Sequence, residues 1–429
     1  MAKKTVADFG VAGRGCYDMA GKRVLVRVDF NVPLKDGKVA NDRRIVQALP
    51  TIEKLISGGA KIILMSHLGR PDGKFEPDGS LAPVVEHLKT LVKVKVFLGP
   101  KDVIGPEAEN IVEQMSRGNI LVLENVRFHP GETMPDKAKK NPDKKLTPEQ
   151  QATHDAFVAG LAAMGDAYVN DAFGTCHRKH ASMYGVAKAI QKKGGPAVAG
   201  FLVEKEIKYL ADAVSNPRRP FVAILGGAKV SDKIKLISAL LGKVDRILIG
   251  GAMAYTLLQA KGVNVGKSRV EADQVEEMKK LLAAAGDKIV LPVDHACVET
   301  FDFAAMKGSA PQMSADVNIP AGLMGMDIGP KTIAAFGKIL GEAKTIVWNG
   351  PMGVFESADF ATGTRSVAEL VAAATDQGAT SVIGGGDSAA AVEDMGLDAR
   401  MSHISTGGGA SLEYLEGKDM PPIAILDEK

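Results

Sequence analysis

The stretch RVLVRVDFNVP, residues 23–33, decides the fold, because a Val-rich apolar run stops abruptly at Asp, Asn and Pro. Similar runs recur at residues 60–67, 119–126, 166–173, 220–227, 246–252, 288–295, 345–351 and 380–386. The segments between them have helical spacing, as at residues 43–57 and 271–285. Buried strands that alternate with amphipathic helices predict an α/β fold with parallel sheets covered on both faces. Sites on such sheets form at the carboxyl ends of the strands.

Length and composition indicate a two-domain globular protein. The 429 residues exceed what one hydrophobic core usually supports, and 45% are hydrophobic and 24% charged. The formal net charge of +2 argues against a nucleic acid or a membrane surface as partner. Cys16, Cys176 and Cys297 are too few and too scattered for a disulfide framework. Since the sequence has no apolar leader, no membrane-length apolar run and no lipidation signal, we expect a cytoplasmic protein.

A domain junction is predicted near one helix. Residues 194–196, Gly-Gly-Pro, break the preceding element, and residues 201–214 then have helical spacing that includes Ile207 and Leu210. This helix stops at Asn-Pro, residues 216–217, before a new strand begins at Phe221. We therefore place the junction at this helix.

The loops of the first half carry recurring polar clusters: RVDFNVP, SHLGRP, LENVRFHPGE and VNDAFGTCHRKH. Taken singly, Asp29 and Asn31 are expected to cap a turn, and Arg127 to be a solvated charge. Four such loops at strand ends in one half favour convergence on a small anion, because Arg forks recognise anions. Arg44 needs a reason of its own, since a cation at a helix start opposes the helix dipole.

The second half has glycine-rich turns after its apolar strands, which suit phosphate binding by backbone N–H groups. Residues 384–389, GGGDSA, fit a loose dinucleotide fingerprint, but the ribose-binding acid expected after the next strand is missing. Asp387 is better placed to hold a phosphate-bound Mg²⁺.

Three other segments are interpreted as non-sites. Residues 262–268, GVNVGKS, resemble a Walker A loop with one residue too few, and we expect a surface turn. The Lys-rich residues 132–150 are expected to form a solvated surface insertion. His177 and His180 lack a good third ligand nearby, which makes a zinc site improbable.

Eight motifs, in order, resemble the phosphoglycerate kinase family: RVDFNVP, SHLGRP, LENVRFH, VNDAFGTCHR, GGAKVSDK, WNGPMGVFE, GGGDSA and STGGGASLE. The resemblance implies two Rossmann-like, doubly wound parallel-sheet domains joined by a helix, with a C-terminal tail that returns to the N-terminal domain. It implies a 3-phosphoglycerate-binding domain at 1–199, the joining helix at 200–216, a nucleotide-binding domain at 217–405 and the returning tail at 406–429. It also implies reversible phosphoryl transfer between 1,3-bisphosphoglycerate with ADP and 3-phosphoglycerate with ATP, by a monomer.

The resemblance assigns site residues position by position. Its 3-phosphoglycerate contacts fall on Asp29, Phe30, Asn31, Arg44, His67, Leu68, Gly69, Arg70, Arg127 and Arg178. Its nucleotide contacts fall on Lys229, Lys233, Gly325, Asn349, Glu356, Gly385, Gly386, Asp387 and Ser388. Within that set, Glu356 is expected at the ribose and Asp387 at Mg²⁺. Ser388 stands where relatives often have Thr, and it keeps the hydroxyl.

The expected chemistry needs no general base, because a carboxylate acceptor is already ionised at pH 7. Phosphoryl transfer then depends on alignment and on charge stabilisation. We assign Arg44 and Lys229 to the transferring phosphoryl group as catalytic residues. Domain closure would align the two ligands and exclude water. Backbone dipoles at helix N-termini are expected to add anion binding after Gly386 and at Gly407, Gly408 and Gly409.

Two other classes stay open. Another small-molecule kinase acting on a phosphorylated acid is the runner-up, and a regulatory nucleotide-binding protein without catalysis is the second. The presence of Arg44, Lys229 and Asp387 together argues against the regulatory protein. A NAD-dependent dehydrogenase ranks last, because the ribose-binding acid is missing.

Overall fold

The computed structural model describes residues 3–10, 17–138, 140–141 and 143–429. The chain divides into two compact units. Unit 1 comprises Met1–Ile207 with Asp419–Lys429, and unit 2 comprises Lys208–Lys418. The boundary falls inside the helix Phe201–Ser215, which therefore joins the two units.

Unit 1 alternates strands and helices along the chain. Its strands are β1 Phe9–Gly10, β2 Tyr17–Asp18, β3 Arg23–Val28, β4 Leu34–Lys35, β5 Lys38–Val39, β6 Lys61–Met65, β7 Val96–Leu98, β8 Ile120–Val122, β9 Ala167–Asp171 and β10 Ala197–Ala199. Its helices are α1 Arg43–Ser57, α2 Ala82–Leu91, α3 Pro106–Gln114, α4 Met134–Ala138, α5 Pro148–Ala163, α6 Val186–Lys192 and α7 Phe201–Ser215, which runs on into unit 2.

The main sheet of unit 1 has six strands in the order β10-β9-β3-β6-β8-β7. Every pairing in it is parallel, so the loops that follow β9, β3, β6 and β8 emerge side by side at one edge. The residues of β3 after Arg23 are buried, as a strand covered on both faces requires. This order is what brings the four polar loops of the first half together.

Helix α1 begins and ends at the residues that the sequence predicts. The Asn41 side chain accepts a hydrogen bond from the Arg43 N–H at 3.0 Å, which satisfies one of the unpaired donors of the first turn. Ile45, Ile52 and Leu55 form its buried face against the sheet. Each such side chain contributes about 1.5–3 kcal/mol when fully buried.

The C-terminal segment Asp419–Lys429 belongs to unit 1, so the chain returns as the fold class predicts, but residues 406–418 of the predicted tail belong to unit 2. The Asp427 N–H donates to the Ala197 carbonyl at 2.8 Å, and the Ala197 N–H donates to the Asp427 carboxylate at 3.0 Å. Gln191 donates to the Ile425 carbonyl at 2.8 Å, and Asn170 donates to the Pro422 carbonyl at 3.2 Å. These bonds tie the end of the chain to β9, β10 and α6.

Unit 2 repeats the alternation, with one insertion. Its strands are β11 Phe221–Leu225, β12 Arg246–Ile249, β13 Ile289–Val290, β14 His295–Val298, β15 Phe301–Asp302, β16 Lys307–Gly308, β17 Gln312–Met313, β18 Met324–Ile328, β19 Thr345–Asn349, β20 Thr380–Gly384 and β21 His403–Ile404. Its helices are α8 Ile234–Leu241, α9 Met253–Ala260, α10 Val275–Ala285, α11 Pro330–Glu342, α12 Thr362–Asp376, α13 Gly386–Asp394 and α14 Gly409–Leu415. The short helix α15 Pro421–Ala424 lies in the tail that belongs to unit 1.

The main sheet of unit 2 has the order β13-β12-β11-β19-β20-β21, again with parallel pairings throughout. The expected α/β class with two parallel sheets is confirmed. The insertion differs from the expected pattern, because β14 pairs with β17 and β18 in antiparallel fashion. The single strand expected at residues 288–295 is correspondingly split into β13 and the start of β14.

Two segments predicted to be solvated are partly buried. Glu132 is fully buried and Met134 is 5% exposed, so the beginning of the Lys-rich segment packs against unit 1. Residues 262–268 do form a turn, but the Ser268 side chain is buried and its hydroxyl accepts the Gly325 N–H at 2.8 Å. The predicted surface location is wrong only for these buried parts, because their partners lie far away in sequence, whereas residues 143–145 and 147–149 are exposed. Among the described helices, none is long and apolar enough to cross a membrane.

Candidate functional site

The polar loops of unit 1 meet at the edge where β9, β3, β6 and β8 end. Arg44, at the start of α1, lies beside the loop after β3: its Nη1 is 3.2 Å from Asp29 Oδ2 and donates to the Asn31 carbonyl at 3.1 Å. A cation at this helix start is thus offset by a buried carboxylate. Arg44, whose charge at a helix start the sequence alone did not explain, is therefore part of this cluster.

The loop after β6 is fastened to its neighbours by its backbone. The Gly69 N–H donates to Asn31 Oδ1 at 2.8 Å, and Arg127 Nη1 donates to the Gly69 carbonyl at 2.8 Å. Arg70, the next residue, is exposed. The loops after β3, β6 and β8 are therefore held in one arrangement before any ligand binds.

Asn125 is a site residue that the sequence analysis missed. Its buried amide donates to the carbonyls of Leu68 and Gly79 at 2.7 and 2.8 Å, and its Oδ1 accepts the Arg127 N–H at 3.0 Å. Both hydrogens of the Asn125 amide and its Oδ1 are therefore used to hold the loop after β6, the turn at Gly79 and the turn that carries Arg127. The signal was present in the LENVRFH motif, where an amide directly precedes the arginine turn.

Phe30 and Leu68 lie at the site but turn their side chains into the hydrophobic core. The Phe30 N–H donates to the Ser66 hydroxyl at 2.9 Å. Any contact of these two residues with a ligand would therefore run through the backbone.

Arg178 is brought to the cluster by the loop after β9. Its Nη1 lies 3.1 Å from Asp136 Oδ2, and His180 Nε2 lies 2.8 Å from the same oxygen. Asp136 belongs to the Lys-rich segment, so part of that segment is attached to the site. The interpretation of residues 132–150 as a solvated insertion is wrong for this part.

The charges of unit 1 are crowded and poorly hydrated. Burial first, and the neighbouring Arg27 next, lower the pKa of Arg127 to about 10, while Arg178 also lowers it and Glu132 and Asp29 raise it. Burial likewise holds the pKa of His67 well below its usual range, with contributions from surrounding arginines. An anion placed here would relieve this repulsion and gain charge-assisted hydrogen bonds.

Unit 2 assembles its candidate site from the loops after β11, β19, β20 and β21, which are adjacent strands. Lys233 Nζ donates to Asn349 Oδ1, and Asn349 Nδ2 donates to the Gly384 carbonyl at 2.8 Å. Burial lowers the pKa of Lys233, and the nearby Asp232, Asp387 and Glu416 oppose the shift. The first three loops thus converge on one ammonium group.

Gly385 and Ser388 shape the turn that opens α13. Gly385 has φ +92°, and a Cβ there would lie 2.7 Å from Asn349 Nδ2, so only glycine fits without strain. The Ser388 hydroxyl accepts the Gly350 N–H at 2.6 Å, which joins the β19 loop to the start of α13. Gly386 and Asp387 are exposed in the first turn of this helix.

The other predicted nucleotide residues have different surroundings. Gly325 lies in β18 beside Ser268, and the neighbouring Met326 carbonyl accepts the Val354 N–H at 2.9 Å. That bond links β18 to the loop that carries Glu356, whose side chain is exposed. Lys229 is also exposed, between β11 and α8. The glycines at the start of α14 follow β21, and they are Gly407, Gly408 and Gly409.

Among the described residues, no group of three or more His, Cys, Asp and Glu side chains is arranged to hold a metal ion alone. Asp387 offers one exposed carboxylate beside the ammonium of Lys233. This donor set fits Mg²⁺ bound mainly by phosphate oxygens and water, since Mg²⁺ takes few protein ligands in such sites.

Cys176 and Cys297 are buried free thiols whose pKa burial raises to about 12 and about 11, and Cys16 lies outside the described residues.

Comparisons with known proteins agree over the whole chain. The family model described as phosphoglycerate kinase matches residues 16–418. Phosphoglycerate kinase of Lactobacillus helveticus is 52% identical over 430 residues, which cover 100% of both chains. That of Clostridium novyi is 49% identical over 431 residues, covering 100% of this chain and 99% of the relative. A solved structure of phosphoglycerate kinase from Coxiella burnetii has a TM-score of 0.80 and 37% identity, with coverage of 99% of this chain and 98% of that one.

Proposed function

The chain belongs to the phosphoglycerate kinase family, and from this premise we propose how its two units divide the family reaction. The enzyme is an ATP-dependent kinase that transfers a phosphoryl group reversibly between 1,3-bisphosphoglycerate with ADP and 3-phosphoglycerate with ATP in glycolysis and gluconeogenesis. Unit 1 binds the phosphoglycerate and unit 2 binds the nucleotide.

The observation that carries the first assignment is the crowding of arginines at one edge of the unit 1 sheet. Arg44, Arg127 and Arg178 present guanidinium groups around a cluster whose buried carboxylates include Asp29 and Glu132. Guanidinium forks match carboxylate and phosphate oxygens, which are the two anionic groups of 3-phosphoglycerate. Arg70, next to the fastened Gly69, is placed to join them.

The nucleotide assignment is supported by a different kind of geometry. The turn at Gly384–Gly386 lies between Asn349 and the start of α13, where backbone N–H groups are available to phosphate oxygens. Lys233 supplies a cation at the same place. Glu356 and Gly325 lie on adjoining segments, which suits the ribose and base end of the ligand. Gly408 and Gly409 would add backbone donors, although the seven-residue helix α14 makes their dipole contribution small, whereas the Gly407 N–H already donates to the Ser405 hydroxyl at 3.0 Å.

Catalysis then rests on Arg44 and Lys229. The carboxylate of 3-phosphoglycerate is the nucleophile and is ionised at neutral pH, so no side chain has to remove a proton. Arg44 is already oriented by Asp29 and the Asn31 carbonyl, and it stabilises the negative charge of the transferring group from the unit 1 side. The exposed Lys229 does so from the unit 2 side.

Mg²⁺ is the cofactor we propose, with Asp387 as the protein ligand beside the nucleotide phosphates. When bound, the ion neutralises part of the phosphate charge. Asp387 also limits the repulsion between the ion and Lys233, because its carboxylate lies close enough to oppose the lowering of the pKa of that lysine by burial.

We further propose that the two units close when both ligands are bound, by bending near α7. Each ligand alone has contacts with one unit only and hence little preference for a closed state. Small-angle scattering should show the clearest fall in radius of gyration with both ligands present. An equal fall with one ligand would contradict this proposal.

The remaining proposals are that the enzyme works as a monomer in the cytoplasm, where its phosphorylated substrates are found, without a nucleic-acid or membrane partner.

The function itself is tested by mixing the purified chain with 3-phosphoglycerate, Mg-ATP and a dehydrogenase that reduces the acyl phosphate with NADH. We expect NADH oxidation that depends on both substrates. Turnover with other phosphorylated acids but not with 3-phosphoglycerate would favour a different small-molecule kinase, and nucleotide binding without turnover would favour a regulatory protein.

A further inference from the structure

A buried arginine, Arg27, lies directly behind the proposed substrate site. Its side chain has no exposed surface, and its Nη1 donates to the Val28 carbonyl. Its Nε donates to the Ser182 hydroxyl at 2.8 Å, and its Nη2 lies 3.1 Å from His67 Nδ1. Arg27 therefore touches a predicted substrate residue without being one itself.

The counter-charge for Arg27 is reached through a hydroxyl. Ser182 donates from Oγ to Glu132 Oε1 at 2.7 Å, and its N–H donates to Glu132 Oε2 at 2.8 Å. Glu132 is fully buried. A buried guanidinium is costly unless it is paired and hydrogen-bonded, so the Arg27–Ser182–Glu132 chain holds the arginine in one position.

The contact with His67 has only one consistent proton assignment. A guanidinium has donors and no acceptor, so His67 Nδ1 must accept the hydrogen bond with its lone pair. A protonated Nδ1 would point its proton at another donor, and its nearest carboxylate oxygen, Asp29 Oδ1, is 3.9 Å away. The proton of the neutral ring is then on Nε2.

The surroundings also oppose a charged ring. His67 is 3% exposed, and the groups that face it include Arg27, Arg127, Arg44, His180 and the carboxylate of Asp29. Burial, followed by the repulsion from Arg27, keeps the pKa of His67 well below its usual range. These surroundings favour the neutral ring over the charged one.

We propose that Arg27, held by Ser182 and Glu132, is a positioning residue that fixes His67 as the neutral Nε2–H tautomer, so that His67 meets the substrate anion as a hydrogen-bond donor and not as a cation. The inference deepens the proposed function, because it rests on the anion binding beside His67. It also assigns a role to the buried beginning of the Lys-rich segment, which supplies Glu132.

The tautomer is measured directly by two-dimensional ¹H–¹⁵N NMR of the histidine rings in the ligand-free full chain. We expect His67 to carry its proton on Nε2 and to show no titration between pH 6 and pH 8. His87, which pairs with Asp42 at the surface, serves as internal reference in the same spectra. A His67 ring that carries its proton on Nδ1, or that titrates between pH 6 and pH 8, would overturn the inference.

Removing the positioning chain should change that spectrum. In R27M/E132Q, which removes both buried charges together, we expect a mixture of tautomers and a ring that titrates at higher pH than in the natural chain. S182A, a smaller change, should shift the ring resonances in the same direction. If the folded variants keep an unchanged His67 spectrum, Arg27 does not set the tautomer. If the double variant does not fold, S182A and the natural chain still decide the question.

A matched pair of variants tests the donor role. In H67Q the amide nitrogen can stand near the position of Nε2, whereas in H67N it stands near that of Nδ1. Losing a hydrogen bond to a charged group costs about 10- to 100-fold in binding, so H67N should raise KM for 3-phosphoglycerate by that factor and H67Q by clearly less. Equal KM values would overturn the donor role. The NMR experiment needs no substrate, so a failed tautomer prediction with a working kinase refutes only this inference, and the reverse outcome refutes only the proposed function.

Discussion

The two units build their proposed anion sites by opposite means. In unit 1 the binding groups are side chains, and other side chains hold them: Asp29 holds Arg44, Asn125 holds the Arg127 turn, and Asp136 pairs with Arg178. In unit 2 the backbone of a turn supplies the proposed binding groups, and the positive φ of Gly385 sets the path of that turn. Long arginine side chains need supporting partners before they are rigid, whereas the glycine turn needs a backbone conformation that only glycine adopts without strain, and the hydrogen bonds of Asn349 and Ser388 hold it.

This contrast has consequences for mutation. Substitutions in unit 1 should act through charge and alignment, and substitutions in unit 2 through backbone shape and the metal. Since each ligand is assigned to one unit, damage to one site should leave binding at the other intact.

The largest expected effect is at Arg44, the unit 1 residue assigned to the transferring phosphoryl group. R44A should lower kcat by about 10³-fold or more with a much smaller change in KM, because arginines that act on this transition state contribute 10³–10⁵-fold. Steady-state kinetics in the coupled assay measure both constants. A near-normal kcat with a raised KM would make Arg44 a ground-state binder.

The second prediction concerns Asp387 in unit 2. D387A should weaken the use of Mg-nucleotide by at least about 10-fold, the scale of metal-site substitutions, while 3-phosphoglycerate binding stays nearly unchanged. Titration calorimetry with each ligand and varied Mg²⁺ separates the two effects. Equal loss of both affinities would refute the assignment of the metal to unit 2 alone.

A third prediction tests the role of backbone shape. G385A should destabilise unit 2 by about 1–3 kcal/mol and weaken nucleotide binding, because alanine is strained at φ +92° and its Cβ would press on Asn349. The control is G341A, in the last turn of α11, where a Cβ meets nothing within 4 Å. Trp348, the only Trp of the chain, lies in β19, so its fluorescence during denaturation reports on unit 2. A normal unfolding curve for G385A would show that the turn does not need glycine.

The last prediction is a pH dependence of stability that both units share. Burial raises the pKa of Asp171 in unit 1 and of Asp327 in unit 2 to about 7, against hydrogen bonds that lower each of them. The folded chain therefore keeps protons that the unfolded chain releases near pH 4, so this stabilisation is complete below about pH 4 and is lost as pH rises through 7.

Replacing either aspartate by asparagine should remove its titrating proton, and with it that residue's contribution to the pH dependence of stability. D327N should flatten the pH profile of denaturation followed by Trp348, and D171N should leave that profile alone, since Trp348 lies in unit 2. An effect of D171N on the Trp348 profile as large as that of D327N would contradict the independence of the two units.

Much of the fold was predictable because it depends on local patterns. Helix α1 was placed at the correct residues by the spacing of its apolar side chains, and the strand-end loops followed from the apolar runs. The short strands β7 and β10 were missed, since three residues carry too little periodicity. The antiparallel insertion around β14 has no signature in an alternating pattern.

The motifs made the candidate site residues predictable from the sequence. The side chains that hold those residues in place were not predictable. The substrate and nucleotide residues came from a resemblance, and their roles stay predictions. The supporting contacts could not be found in the sequence. Glu132 bonds to Ser182 across 50 residues, and Asp136 bonds to Arg178 across 42 residues. Long-range pairs of this kind leave no mark on local periodicity, so a Lys-rich segment was interpreted as surface.

The central claim is that each unit binds one ligand by its own means, and titration calorimetry on a matched pair of variants tests it most directly. R127M removes a buried cation from unit 1, and K233M removes a half-buried cation from unit 2. We expect R127M to raise the Kd of 3-phosphoglycerate by about 10- to 100-fold with the Mg-ADP affinity unchanged, and K233M to do the reverse. If either variant loses both ligands to a similar extent, the two sites are not separate and the account is wrong.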